Sequence, residues 1–136
     1  LITSSAASDV YKRQAQSPFG VPMDPGWRSF TAKMITRSDA QVVPIFFEGH
    51  NSRLFQVASH IHYNLRMGLL IKEFKSKVGN PVKIAIGNPL SDTAIKSRSG
   101  NPRILMDFLR EETYKLSRTP LDNFNYGYEF ESRYKI

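Results

Sequence analysis

Residues 41–56, QVVPIFFEGHNSRLFQ, decide how the chain is read. Gln41 to Phe47 is short, continuous and rich in β-branched and aromatic side chains, which suits a strand buried on both faces of an α/β sheet. Pro44 is awkward there, because it has no N–H to give to a ladder. The strand therefore either lies at an edge around Pro44 or opens there. Gly49 turns the chain, and Asn51 or Ser52 is a ready N-cap. Leu54, Ala58, Ile61 and Leu65 then recur on one helical face, with Phe55 and His62 beside them. The helix can run on through Leu69, Leu70, Ile71 and Phe74, with Gly68 as a candidate break, and Gly79-Asn80-Pro81 stops it.

Beyond that stop, Val82, Ile84 and Ile86 alternate with Lys83 and Ala85, the period of a half-covered strand closed by Gly87-Asn88-Pro89. Strand, helix and strand in this order predict a βαβ unit with a right-handed crossover. The fold class expected is therefore α/β, with helices packed on a small, mostly parallel or mixed sheet. Ser91 to Gly100 reads as a polar, basic loop. Asn101-Pro102 opens a last helix, with Leu105, Phe108, Leu109 and Leu116 inward, Lys115 and Arg118 in its final turn, and Pro120 as its end.

Upstream, Ser17 to Gly26 is a Pro/Gly loop. Asp24-Pro25 reads as an N-cap and first helical position, followed by Trp27, Phe30, Met34 and Ile35 on one apolar face. Residues 1–14, LITSSAASDVYKRQ, have neither helical nor strand period and resemble adapter read-through. They are set aside as a non-native or disordered leader. Residues 15–118 form the body. Residues 119–136 are an aromatic tail in which Phe124, Tyr126, Tyr128 and Phe130 alternate, either a short docked strand or a flexible segment.

Composition narrows the function. With 136 residues and 40% hydrophobic content, the chain fits one domain or most of one. It has no cysteine, which excludes disulfides, thiolate nucleophiles and Cys-type zinc sites in these residues. The net charge of +7 and pI near 9.8 point to an anionic partner: nucleic acid, a membrane surface or a phosphorylated substrate. The basic residues are spread along the chain, so a solvated basic surface explains them equally well. The longest apolar run, Val42 to Phe47, is far below the ~18 residues of a membrane span.

Three histidines are candidates for chemistry. His60 and His62 would share a side only in a strand; in a helix they diverge by about 200°, so no metal site is expected. His50 follows the strand beside Glu48 and Arg53. A His50–Glu48 couple could do general acid–base work, and a turn residue hydrogen-bonded locally is the simpler reading. There is no nucleophile elbow and no phosphate-cradling glycine motif.

Val42-Val43-Pro44-Ile45-Phe46-Phe47-Glu48-Gly49, followed by Asn51-Ser52-Arg53-Leu54-Phe55-Gln56, resembles the late part of the bacterial lysophospholipid acyltransferase domain, in its hemolysin-like branch. Asp24-Pro25-x-Trp27 and Val82 to Leu90 follow the same pattern, and the resemblance runs from about Pro18 to Leu116. It implies acyl transfer from an acyl-CoA or acyl carrier protein thioester to a lysolipid, lysophosphatidate or a lyso-ornithine lipid, with no bound cofactor. It also implies a peripheral position on the cytoplasmic face of the inner membrane, on an anionic lipid surface.

The resemblance brings Val43, Pro44 and Ile45 in as the block that shapes the acyl or acceptor pocket. Glu48, Asn51 and Arg53 accompany them as residues characteristic of the branch, and capping or turn pairing accounts for these three equally well. Relatives use a His and an Asp separated by four residues, the His acting as general base on the acceptor hydroxyl. Here the positions five after His50, His60 and His62 hold Phe55, Leu65 and Met67. The Phe-Pro-x-Gly-like turn of relatives is missing too, and the leader occupies its place. The expectation is thus a C-terminal portion of an acyltransferase, inactive alone, with no catalytic residue assigned. The alternatives are a small basic module that binds a membrane surface, or one that binds nucleic acid through its aromatic tail; no recognised nucleic-acid module is present.

Overall fold

The structure is a computed structural model that describes residues 23–38, 40–119, 121 and 124–126, without the side chains of His60 and Tyr63. The leader expected over residues 1–14 and the tail residues Tyr128 and Phe130 lie outside the described residues. The elements are α1 (Phe30–Arg37), β1 (Ile45–Phe47), α2 (Arg53–Ile61), α3 (Tyr63–Lys77), β2 (Ile84–Ile86), α4 (Asp92–Lys96) and α5 (Pro102–Tyr114). Helices on a small sheet make an α/β fold, as expected. The chain divides into two compact units, one built on residues 26–48 with 82–124 and the other on residues 49–81.

The first unit holds the sheet. β1 and β2 pair antiparallel, with Ile45 opposite Ile86, Phe46 opposite Ala85 and Phe47 opposite Ile84. This corrects the expected parallel βαβ pairing. The connection is not one helix but two, and Ser52, at the start of α2, is bonded to Glu73, near the end of α3. An out-and-back hairpin of helices returns the chain to the end of β1 from which it left, so β2 starts opposite Phe47 and runs the other way.

Pro44 does not open the ladder. Its carbonyl accepts the Gly87 N–H at 2.9 Å. Alternate residues of an antiparallel strand exchange bonds with their partners, and Pro44 can only accept, so the regular strand begins one residue later. The next ladder partner of Val42 would be Pro89, which also lacks an N–H, and Leu90 donates to Val42 at 2.8 Å instead. Gly87 is required by this approach: a Cβ there would stand 2.9 Å from Pro44 Cγ and 3.1 Å from a Leu116 methyl.

One sheet face is covered. Phe46 packs its ring against Tyr114 of α5, the centroids 5.7 Å apart, and Pro44 is buried on the same side. The core below is Ala32, Ile35, Ile95, Leu105, Met106 and Leu109, joined by Trp27, Val42, Leu90 and Phe108. The other sheet face is open: Phe47, Ile84 and Ile86 are exposed, and the covered side of β2 is that of Ala85 rather than of the isoleucines. The alternation read in the sequence is real, but its apolar side is the uncovered one.

Three boundaries differ from those expected, and one helix face. Asp24-Pro25 does not start α1, which is preceded by Ser29; its first turn would have had to include Gly26, a poor helix former. Ala32 and Ile35 face the core, and Phe30, about 160° round the helix from Ala32, is exposed with Met34. Residues 91–100 contain the short helix α4, capped by the Ser91 hydroxyl on the Ala94 N–H, which buries Ile95. α5 stops at Tyr114 rather than near Pro120. Lys115 follows it as C-cap, pairing with Glu112 at 2.5 Å, and Arg118 lies beyond the helix. The Asn101 cap and Pro102 at the first turn are as read, with Asn101 Oδ1 accepting from Arg103 N at 3.0 Å. Leu105 and Leu109 are buried and Phe108 and Leu116 half-buried, also as read.

The second unit is the helical hairpin. The helical pattern breaks at His62, not at Gly68. His62 is extended, and its Nδ1 accepts the Asn64 N–H at 3.1 Å, capping α3. His60 and His62 therefore do not share a helix. Phe55 is fully buried against Leu69 and Leu70, and the Arg66 guanidinium lies over its ring at 5.9 Å. Gly79, in the left-handed region at φ 84°, ends α3 as anticipated.

Candidate functional site

The six residues singled out in the sequence divide between the units. Val43, Pro44, Ile45 and Glu48 belong to the sheet unit, Asn51 and Arg53 to the helical hairpin.

In the sheet unit, side chains alternate across the strand, so Val43 and Ile45 share a face with Phe47. Directly opposite cross-strand partners share a face too, which adds Ile84 and Ile86. The result is an apolar strip of five side chains, four of them exposed and Ile45 half-buried. Pro44 points the other way, with its ring against Gly87 and close to Leu116. Glu48 continues the pairing beyond β1 by donating its N–H to the Lys83 carbonyl at 2.9 Å. Its Oε1 is buried and approached by Arg118 Nε at 3.1 Å, without the alignment of a hydrogen bond. Arg118 is largely solvated, so the pair is worth at most about 1 kcal/mol.

In the hairpin, Gly49 makes the turn at φ 128°, a conformation that side chains disfavour. His50 is exposed, and its Nδ1 lies 3.0 Å from the Asn51 carbonyl, so the ring is engaged locally as a turn residue. The same carbonyl accepts from Gln56 Nε2 at 3.1 Å. Asn51 is fully buried, and its Oδ1 accepts from Lys77 Nζ at 3.1 Å, while that ammonium also reaches the His50 carbonyl at 3.0 Å. Ser52 caps α2 by accepting from Phe55 N at 3.2 Å. The Glu73 carboxylate accepts both the Ser52 N–H, at 3.0 Å, and the Ser52 hydroxyl. Arg53 is exposed at the first position of α2, whose first turn carries no acid. The Glu73 carboxylate on Ser52 answers the helix dipole at that end, so the exposed positive charge there is the Arg53 guanidinium.

Sequence reading missed the residues that hold this turn. Glu73, Lys77 and Gln56 looked like ordinary polar positions of a helix. A capping box would have put its acid three residues after Ser52, where Phe55 stands; here the acid arrives from another helix. Arg110 was missed as well: it is buried, donates to the Phe124 carbonyl at 2.6 Å and lies 5.0 Å from the centre of the Tyr114 ring. It thereby docks the first aromatic residue of the tail. Among the described residues, no three His, Asp or Glu side chains are grouped to hold a metal ion.

A family profile described as Acyltransferase matches residues 13–123. The match spans most of the chain, and the protein belongs to this acyltransferase family. No curated protein matches the chain, and no solved structure does.

Proposed function

We propose that this acyltransferase-family chain belongs to a lysophospholipid acyltransferase, in the hemolysin-like branch. It would move an acyl group from an acyl-CoA or acyl carrier protein thioester to lysophosphatidate or a lyso-ornithine lipid. The family match over residues 13–123 carries the proposal. The open strip of Val43, Ile45, Phe47, Ile84 and Ile86 supports it, because an acyl chain laid there would remove apolar surface from water. Arg53, exposed at the start of α2 with Asn51 buried beside it, is a suitable neighbour for an anionic head group. In this reading Val43 and Ile45 contact the acyl chain, Pro44 holds the strand in place behind them, and Glu48, Asn51 and Arg53 shape the acceptor side. No bound cofactor is required; the thioester is a co-substrate. The place of action in this reading is the cytoplasmic face of the inner membrane, reached from the surface. Among the described residues no helix is long and apolar enough to cross a membrane.

The 136 residues contain no His and Asp separated by four residues. By themselves they should therefore give no turnover, since nothing in them supplies the family's general base. The test has two arms on the purified chain. Lysophosphatidate, titrated below its micelle concentration, should bind at least tenfold more tightly than lysophosphatidylcholine, and Arg53→Ala should remove most of that preference. Equal affinity for both lipids would overturn the acceptor assignment. Product from labelled acyl-CoA and lysophosphatidate would overturn the claim of inactivity.

A further inference from the structure

α3 carries a second apolar stripe that the fold does not use. Met67, Ile71 and Phe74, with Val78 at the C-cap, fall within an arc of about 60°. All four are exposed, Ile71 at 71% and Phe74 at 73%. The neighbouring side of α3, through Leu69, Leu70, Glu73 and Lys77, is the one bonded to and packed on α2 and the turn before it. A stripe of four large side chains turned to water is more than scattered surface hydrophobicity, and it calls for an occupant.

The charges say which. From Gly49 to Pro81 the only acid is Glu73, and its carboxylate is bonded to Ser52. The same stretch holds Arg53, Arg66, Lys72, Lys75 and Lys77. Lys75 lies next to Ile71 at one edge of the stripe and Lys72 further round on the same side, and both are exposed. α2 repeats the pattern: Leu54, Val57 and Ile61 are exposed along one side, behind Arg53 at the first position. An apolar stripe with lysines along one edge and no acid on the exposed side suits a helix lying against an anionic lipid surface. At 15 residues α3 is too short to span the hydrocarbon.

We propose that the exposed face of α3, Met67-Ile71-Phe74-Val78 with Lys72 and Lys75, seats this chain on anionic bilayers. The four apolar side chains enter the acyl boundary and the two ammonium groups meet lipid phosphates. The proposal deepens the membrane-lipid reading above and rests on it for the lipid as occupant, in place of a second copy of the chain or a protein partner.

The test is co-sedimentation of the 136-residue chain with vesicles of phosphatidylglycerol or of phosphatidylcholine, with no acyl donor or lysolipid present. Its result is therefore independent of whether the acceptor assignment holds. The parent chain should partition at least tenfold more strongly onto phosphatidylglycerol. The double variant Ile71→Asn/Phe74→Asn should lose at least tenfold of that binding, and Lys72→Gln/Lys75→Gln should lose most of the anionic preference. Helical circular dichroism should be unchanged in both; if the apolar pair unfolds, the lysine pair decides. Absence of binding by the parent, or equal binding by parent and lysine variant, overturns the proposal. So does a dimer in sedimentation velocity that the asparagine pair abolishes without any vesicle binding, which would assign the face to a second copy.

Discussion

Glu73 of α3 accepts the backbone N–H of Ser52, the N-cap of α2, at 3.0 Å across 21 positions of sequence, and takes the Ser52 hydroxyl as well. The cap of one helix is thus completed by a carboxylate from its neighbour, which ties local helix initiation to the closing of the hairpin.

Removing that carboxylate should loosen the start of α2 and the hairpin together. Glu73→Ala should cost about 1–2 kcal/mol, the range for two partly exposed hydrogen bonds to a charged group, and Glu73→Gln less. Ser52→Ala should cost about 1 kcal/mol, and the double variant less than the sum, because the two residues share their bonds. Denaturant midpoints of the four proteins check this; strict additivity would mean that the contact carries no stability.

Two glycines should respond in opposite directions to alanine. At Gly87 the new methyl would stand 2.9 Å from the rigid Pro44 ring, so the strands must shift, at a cost of about 1–3 kcal/mol. Gly68 sits inside α3 with open space around its missing Cβ, and alanine there should add about 0.5–1 kcal/mol. Thermal melts of both variants are sufficient, and stabilisation by Gly87→Ala would show that the Pro44 contact is not tight.

Lys77 holds the turn before α2 through the His50 carbonyl and the buried Asn51 Oδ1. Lys77→Met keeps much of the aliphatic stem but leaves Asn51 short of a donor, an expected loss of about 1–3 kcal/mol. Amide exchange should rise first at residues 50–56. Uniform exchange across the chain would argue that the turn has other, sufficient support.

What was legible in the sequence is what depends on neighbours a few residues away. The apolar run before Gly49, the Ser52 and Asn101 caps, Pro102 at the first turn of α5 and the stop at Gly79 are all local steric or hydrogen-bonding preferences. Asp24-Pro25 shows the limit of such signals, since it has good cap chemistry and no helix follows at once. His62 shows the converse: nothing in its residue type announces a break, yet its ring can cap the helix that restarts after it. Of the candidate site, the placement of Asn51 and Arg53 at a helix start could be read directly. Their supports, Lys77, Gln56 and Glu73, could not, because they act from the next turns of helix or from another helix.

By itself the sequence determined the α/β class, the helix-starting and helix-stopping chemistry, the excess of positive charge and the resemblance to acyltransferases, borne out at family level by the match over residues 13–123. Only the tertiary structure decided the direction of pairing and the sides that face water. The break at His62 divides the connection between the strands into two helices, and β2 pairs antiparallel to β1. Periodicity marks an apolar side on Ile84 and Ile86, and on Ile71 and Phe74, but it cannot say whether anything packs there. Burial depends on what the rest of the chain brings alongside.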